Sequence, residues 1–413
     1  MMNIISTADI LLPRRQYPLE KWAVIACDQF TSEPEYWEQV RSIADGAYST
    51  EKLVFPEAEL GIRGSGYIDQ IHEAMIRYQQ EGIYDSFPEA FVYVERMQAD
   101  GSLRKGIVGC LDLEAYEYTS GTKAPVRASE ETVTSRIPAR VAVRDGAQTE
   151  TSHVILYADD EKDELISCAS AAKKNGKLLY DFDLMMEGGH ITGWLLDEET
   201  KNNLEVTLEN YCRRQEEKAV QLGKAPLLFA VGDGNHSLAA AKSCYEKAKA
   251  ANPGASSSAL RYALVELENV HDPAQVFHPI HRIVRGIDTT AFLEGLRALG
   301  SSGAGEVFKV PVLTADGEDI LKLEAQDPAG LIRDLQHYID AYIGENGGEV
   351  DYIHGSDTLR QMVGAEDAGI LMPLISKKDF FRDIMQQDCF ARKSFSIGNA
   401  RDKRYYLEVR NLL

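Results

Sequence analysis

The chain has 413 residues, 44% hydrophobic and 26% charged, a balance that suits two or three folded domains and excludes a disordered chain, a collagen or a coiled-coil rod. Its 44 Lys and Arg face 65 Asp and Glu, so a formal charge of −21 sets the average surface against polyphosphates and anionic lipids. Neither nucleic acid nor a membrane is expected as a partner, whereas a small-molecule ligand can still be held by a local ring of basic groups or a helix N-terminus.

Apolar runs such as Ala225 to Val231 fall far short of the roughly 18 residues of a membrane helix. The stretch Met1 to Leu12 lacks a basic segment ahead of its apolar residues, so a cytoplasmic protein is expected. Six cysteines (Cys27, Cys110, Cys168, Cys212, Cys244, Cys389) lie far apart with no C-x-x-C pair, which argues against a zinc site or a disulfide framework.

Ser32-Glu33-Pro34-Glu35 has the form of a capping box and predicts a helix running to about Gly46. Ile68, Ile71, Met75 and Ile76 recur at helical spacing and predict a second helix over Tyr67 to Glu81. Ala90 to Arg96 and Leu103 to Asp112 read as strands of a hairpin turning at Asp100-Gly101. A short strand follows at Val154 to Tyr157 and a charged helix at Glu198 to Leu222. Leu227 to Val231 then reads as a buried strand, Gly232 to Ser237 as a turn, Leu238 to Ala250 as a helix ended by Asn252-Pro253-Gly254, and Tyr262 to Glu268 as a strand.

Beyond Gly286 the pattern gives a helix at Thr290 to Leu299, a Gly/Ser stretch from Gly300 to Gly305, a strand at Phe308 to Leu313 and a helix at Ala329 to Ile343. After Gly344 to Gly348 come a strand at Tyr352-Ile353, the run Gly369 to Pro373, a helix at Lys377 to Gln386 and a last strand at Arg404 to Val409. The expected fold class is α+β: a main domain over 1–285, a smaller α+β unit over 286–365, and a segment 366–413 returning to the main domain.

The common signatures are absent: no P-loop, no G-x-G-x-x-G after the first strand, no H-E-x-x-H and no G-x-S-x-G. The turn Gly232-Asp233-Gly234-Asn235-His236-Ser237 stands out, because two glycines allow tight backbone angles while the next helix aims its first N–H groups back at the turn. An anion is favoured there, with Asp233 able to orient a cation or act as a base and Asn235 and His236 able to bond phosphate oxygens or take a substrate proton. The same residue types also make an ordinary capped turn.

Four further groups are candidates. Asp181, Asp183, Glu187 and His190 could share a metal or form a solvated face. His278, His281 and Arg282 offer a phosphate fork or a structural arginine. Arg392-Lys393-Ser394-Phe395-Ser396 is a basic, hydroxyl-rich loop suited to an oxyanion. Arg127, Arg136, Arg140 and Arg144 would make a positive stripe, although Pro138 speaks against a continuous helix.

These segments, in this order, resemble the bacterial family known as domain of unknown function 1015. The shared features are the turn Asp233 to Ser237, a P-x-H-R at Pro279 to Arg282, the run Asp367 to Pro373 and Lys393-Ser394, with Ala26-Cys27-Asp28-Gln29 standing where members carry a P-Y-D-V-like segment. More distantly, the turn is similar to that of free L-serine kinases in the ParB/sulfiredoxin-like superfamily. The resemblance implies a mixed sheet with a strand-turn-helix core, a nucleotide (ATP or ADP) with Mg²⁺, and phosphoryl transfer to a small hydroxylated metabolite. It casts Asp233 and His236 as catalytic, Asp233 also as metal-orienting, and Gly232, Gly234, Asn235, Ser237, Arg282, Lys393 and Ser394 as phosphate or nucleotide contacts.

The chain departs from the kinases in having Ser237 where they have Arg, so Lys393, Arg282 or Arg392 must supply that charge, and no residue matches their catalytic glutamate. A non-enzymatic nucleotide sensor is the alternative. A sulfiredoxin-like thiol role is not expected, since Cys244 lies seven residues past Ser237 and well into the helix.

Overall fold

The computed structural model describes residues 4–31, 33–60, 62–64, 66–252, 254, 258–299 and 305–412. Ser32 of the expected capping box, Pro253, and Gly300 to Ala304 of the Gly/Ser stretch lie outside the described residues. The fold is mixed α+β, and the chain divides into one compact unit of Met1–Gln275 with Asn399–Leu413 and a second of Val276–Gly398. The second unit is thus wider than the 286–365 expected: the strand Phe277–Arg285 pairs with Asp367–Ile370 and Phe395–Ile397, which keeps both flanks of that span inside it. Only Asn399–Leu413 joins the first unit.

The first unit is built on a ten-stranded mixed sheet. Val92–Met97 and Leu103–Asp112 form the expected antiparallel hairpin, closed at Gly101, whose φ of +83° suits glycine. Tyr262–Asn269 lies antiparallel to Leu103–Asp112 and parallel to Ile155–Ala158, which in turn pairs antiparallel with Phe229–Asp233. Ile107, Leu156, Val231 and Leu267 of these strands form one apolar core, in which the helices Glu198–Gln221 and Asn235–Ala251 bury Leu204, Leu208, Tyr211, Leu238 and Tyr245.

The helix after the turn begins at Asn235, three residues before the predicted start, because Gly234 takes up the left-handed bend at φ +79°. Ile137–Arg144 is helical despite Pro138, which sits in the first turn where a missing N–H breaks no helical bond. The predicted last strand is two short ones: Tyr405–Tyr406 pairs with Val24–Ile25, and Val409–Asn411 pairs with Ala8–Pro13 and Thr149–Thr151.

In the second unit the strand order is Gly317–Ala325, Glu306–Thr314, Asp367–Ile370, Phe277–Arg285, Glu349–His354. The helices Thr289–Ala298 and Pro328–Asn346 begin at Asp288 and Asp327, each of which accepts first-turn N–H bonds. Phe277, Phe380, Phe390 and Phe395 form one ring cluster in its interior, with Phe277 stacked on Phe395 at 5.2 Å. Among the described residues no helix is long and apolar enough to cross a membrane.

Candidate functional site

The turn is shaped by what its glycines touch. A Cβ on Gly232 would lie 2.2 Å from the buried Tyr157 ring, and one on Gly234 would lie 3.0 Å from Val154 and 3.4 Å from His153. Both positions exclude side chains, so the backbone between strand and helix stays bare and tightly bent.

Asp233 closes the strand opposite Ile155. Its Oδ1 accepts the Gly234 N–H at 2.9 Å. Its Oδ2 is buried without a hydrogen-bond partner among the described residues, with Lys403 Nζ 3.7 Å away, and Asn235 Oδ1 is likewise buried and unpartnered. Two buried oxygens without a hydrogen-bond partner therefore belong to the residues on either side of Gly234, at the start of a 17-residue helix that has no side-chain cap. The first-turn amides favour an anion and the orphaned oxygens favour a cation or a hydroxyl donor.

Residues from three distant segments adjoin the turn. Tyr405–Tyr406 zips against Val24–Ile25, which sets Lys403 and Tyr406 beside Cys27 and Asp28. His153 is 1% exposed; its Nδ1 lies 2.6 Å from Tyr406 Oη and its Nε2 3.9 Å from Asp28 Oδ1. Burial holds Tyr406 well above the usual phenol range, so it keeps its proton and donates to Nδ1, leaving the Nε2–H on the Asp28 side. Burial also pushes His153 below the ordinary imidazole value against the pull of Asp28 and Asp233. For Asp28 burial works to raise the carboxyl, but His153, Gln29, Arg140 and Lys403 together hold it below its ordinary value. Burial, then Asp28, push the Cys27 thiol up to about 12, which keeps it from thiolate chemistry.

Of the residues singled out from the turn, His236 uses Nε2 to accept the Val133 N–H at 3.2 Å, so that nitrogen is engaged with the backbone rather than open as a base. Ser237 lines a pocket beside the helix start. Arg282, Lys393 and Ser394 belong to the second unit. Arg282 is fully buried there: it donates to Gln336 at 2.8 Å and to the Ile280 carbonyl at 2.6 Å, and stacks over Tyr352 at 4.6 Å. That is the structural arginine, not the phosphate fork. Lys393 is exposed with φ +57°, and Ser394 is buried, donating to the Ala391 carbonyl at 2.7 Å.

The acidic cluster resolves differently from a metal site. His190 bridges Asp183 and Asp181 with 2.7 Å bonds from its two ring nitrogens, and those carboxylates raise its pKa, while Glu187 pairs with Arg401. Arg127 donates to the carbonyls of Ala124, Ala225 and Pro226. Asp159, Glu161 and His271, not singled out from sequence, bring one ligand atom each within 4.8 Å, but Asp159 already holds Lys218 and His271.

Beneath the site runs a buried ion network. Arg404 pairs with Glu266 and Glu408 at 2.6 Å each, and Arg104 with Glu268 at 3.1 Å. Burial opposes the Glu266 charge, but Arg404 and Arg104 hold it below the ordinary range; for Glu268 burial wins, with Glu266 adding to it, and the carboxyl rises to about 8. A carboxyl whose folded pKa lies above its unfolded value stabilises the fold fully below the unfolded value, and that contribution is lost as pH climbs toward about 8. Glu268→Gln, which mimics the protonated form, is therefore expected to gain more than about 1 kcal/mol on wild type between about pH 5 and about pH 9. Urea unfolding of both proteins at each pH checks this; parallel stabilities would contradict it.

A family model described as a protein of unknown function, DUF1015, matches residues 11–346. No sequence among the curated proteins matches. Among solved structures the chain is similar to a conserved hypothetical protein from Pyrococcus furiosus (10% identity, 72% of this chain, 90% of that one, TM-score 0.35). It is also similar to a free serine kinase in complex with AMP (9%, 73% and 91%, 0.40) and to a C-terminally truncated SbnI from Staphylococcus aureus (9%, 70% and 82%, 0.35).

Proposed function

We propose, for a chain that belongs to the DUF1015 family, that the Gly232–Ser237 turn binds the phosphates of a nucleotide and that the site transfers a phosphoryl group to a small hydroxylated metabolite. The observation that carries this reading is the pair of orphaned oxygens, Asp233 Oδ2 and Asn235 Oδ1, at an uncapped helix start beside Lys403.

In this reading the first-turn amides of Asn235–Ala251 receive phosphate oxygens, and Asp233 and Asn235 hold Mg²⁺. When bound, that ion supplies charge neutralisation on the phosphates. Lys403 takes the counter-charge role that sequence gave to Lys393, Arg282 or Arg392. Asp28 is the base for the acceptor hydroxyl: its carboxyl is held ionised, and its side chain is 24% exposed while His153 behind it is 2% exposed. His236 positions the Val133 segment through its backbone bond.

The test is a thermal-shift panel of ATP, ADP, GTP and pyrophosphate with and without Mg²⁺, followed by nucleotide-turnover assays with hydroxylated metabolites. Asp233→Asn is the informative variant, since it keeps an oxygen for the Gly234 N–H and removes the charge. Saturation at about 100 times Kd adds about 2.7 kcal/mol of stability to wild type. A Mg²⁺-dependent shift weakened in Asp233→Asn supports the site; binding without turnover for any acceptor favours the sensor, and no shift with any ligand refutes both.

A further inference from the structure

The segment ahead of Val133 carries two hydroxyls that have no part in the nucleotide reading. The strand Val126–Ala128 runs parallel to Phe229–Asp233 with Ala128 beside Val231. The next residue of each, Ser129 and Gly232, therefore stand level and on the same face of the sheet. At the far end of the segment the Val133 N–H bonds to His236 Nε2 at 3.2 Å, in the first turn of the helix Asn235–Ala251. Ser129-Glu130-Glu131-Thr132 is thus fastened to the Gly232–Ser237 turn at both ends.

Both hydroxyls lack a partner. Ser129 is 1% exposed, and its Oγ is buried with no hydrogen-bond partner among the described residues; Thr132 Oγ1 is buried and unpartnered in the same way. A buried hydroxyl can turn to a nearby carbonyl, as Ser394 does to that of Ala391, but neither of these does. Unpartnered buried hydroxyls destabilise a fold and are uncommon in it. Here two fall within four residues, on a segment tied to the turn that holds the unpartnered Asp233 Oδ2 and Asn235 Oδ1.

The charges nearby narrow the ligand. Glu130 is half-buried and Glu131 exposed, so an anion reaches this segment only in company with a cation. The arginines that follow are engaged already, Arg136 and Arg140 with Glu57 and Arg144 with Glu150. Hydroxyls donate hydrogen bonds without needing a counter-ion.

We infer that Ser129 and Thr132 form a second wall of the phosphate site, each hydroxyl donating to a phosphate oxygen of the Mg²⁺-bound nucleotide whose other oxygens meet the first-turn amides. This assignment rests on the nucleotide reading of the turn. Ser129→Ala and Thr132→Val delete the hydroxyls with little change of shape. A hydroxyl whose partner is the ligand is dispensable without it, so the ligand-free variants should melt no lower than wild type. A hydroxyl serving the fold would behave in the opposite way.

The test is calorimetric titration of ADP and pyrophosphate, with Mg²⁺, into wild type, Ser129→Ala, Thr132→Val and Thr132→Ser, together with the melting temperature of each ligand-free protein. Expected are binding at least about tenfold weaker for both ligands in Ser129→Ala and Thr132→Val, near-wild-type binding in Thr132→Ser, and no loss of melting temperature. Wild-type binding that Ser129→Ala and Thr132→Val retain, or a lowered melting temperature in those ligand-free variants, would overturn this inference and leave the nucleotide reading standing. No binding to wild type would overturn both.

Discussion

Arg404→Met is expected to lower the unfolding free energy by about 3–5 kcal/mol, the largest effect of any single change considered. The guanidinium is 4% exposed and stands between the carboxylates of Glu266 and Glu408 while also donating to the Ser152 carbonyl. Removing it leaves two buried anions facing each other, and neither has water to turn to. The loss should shrink at acid pH, where Glu266 can take a proton, and Arg404→Met with Glu408→Gln should recover part of it. Urea unfolding of the single and double variants measures this; a change below about 1 kcal/mol would show that the network contributes little. Because Arg404 adjoins Lys403, ligand binding should weaken along with stability.

Gly232→Ala carries the second large effect, about 1–3 kcal/mol from overpacking alone. The new methyl would sit 2.2 Å from a ring carbon of Tyr157, whose side chain is fully buried and tied through its hydroxyl to Gln275 at 2.8 Å. Either the ring or the turn must move, and movement of the turn displaces Asp233. Melting temperature and nucleotide affinity should therefore fall together in Gly232→Ala, and the added methyl should be less damaging in a Tyr157→Leu background where the space exists. An alanine variant as stable as wild type would mean that the contact relaxes without strain.

The turn was legible in the sequence because local chemistry makes it: glycines where a Cβ has no room, and a helix following directly. Its residues were found by type, although the sequence could not show that His236 Nε2 bonds to Val133, since that partner lies 103 positions away. Lys403, His153 and Asp28 were beyond reach as a group. They meet only because Tyr405–Tyr406 pairs with Val24–Ile25, strands of two residues each, too short to give any periodic signal. Arg282 misled for the opposite reason: its motif is local, but its burial is set by Gln336 and Tyr352 from other parts of the second unit. Pro138 likewise reads as a helix breaker until its place in the first turn is known.

Calorimetric titration of ADP into wild type and Asp233→Asn, with and without Mg²⁺, tests the central claim most directly. The account predicts saturable binding to wild type that strengthens with Mg²⁺ and weakens at least about tenfold in Asp233→Asn, a difference of about 1.4 kcal/mol or more. Binding that is indifferent to Mg²⁺ and equal in the two proteins, or no binding at all, would contradict it.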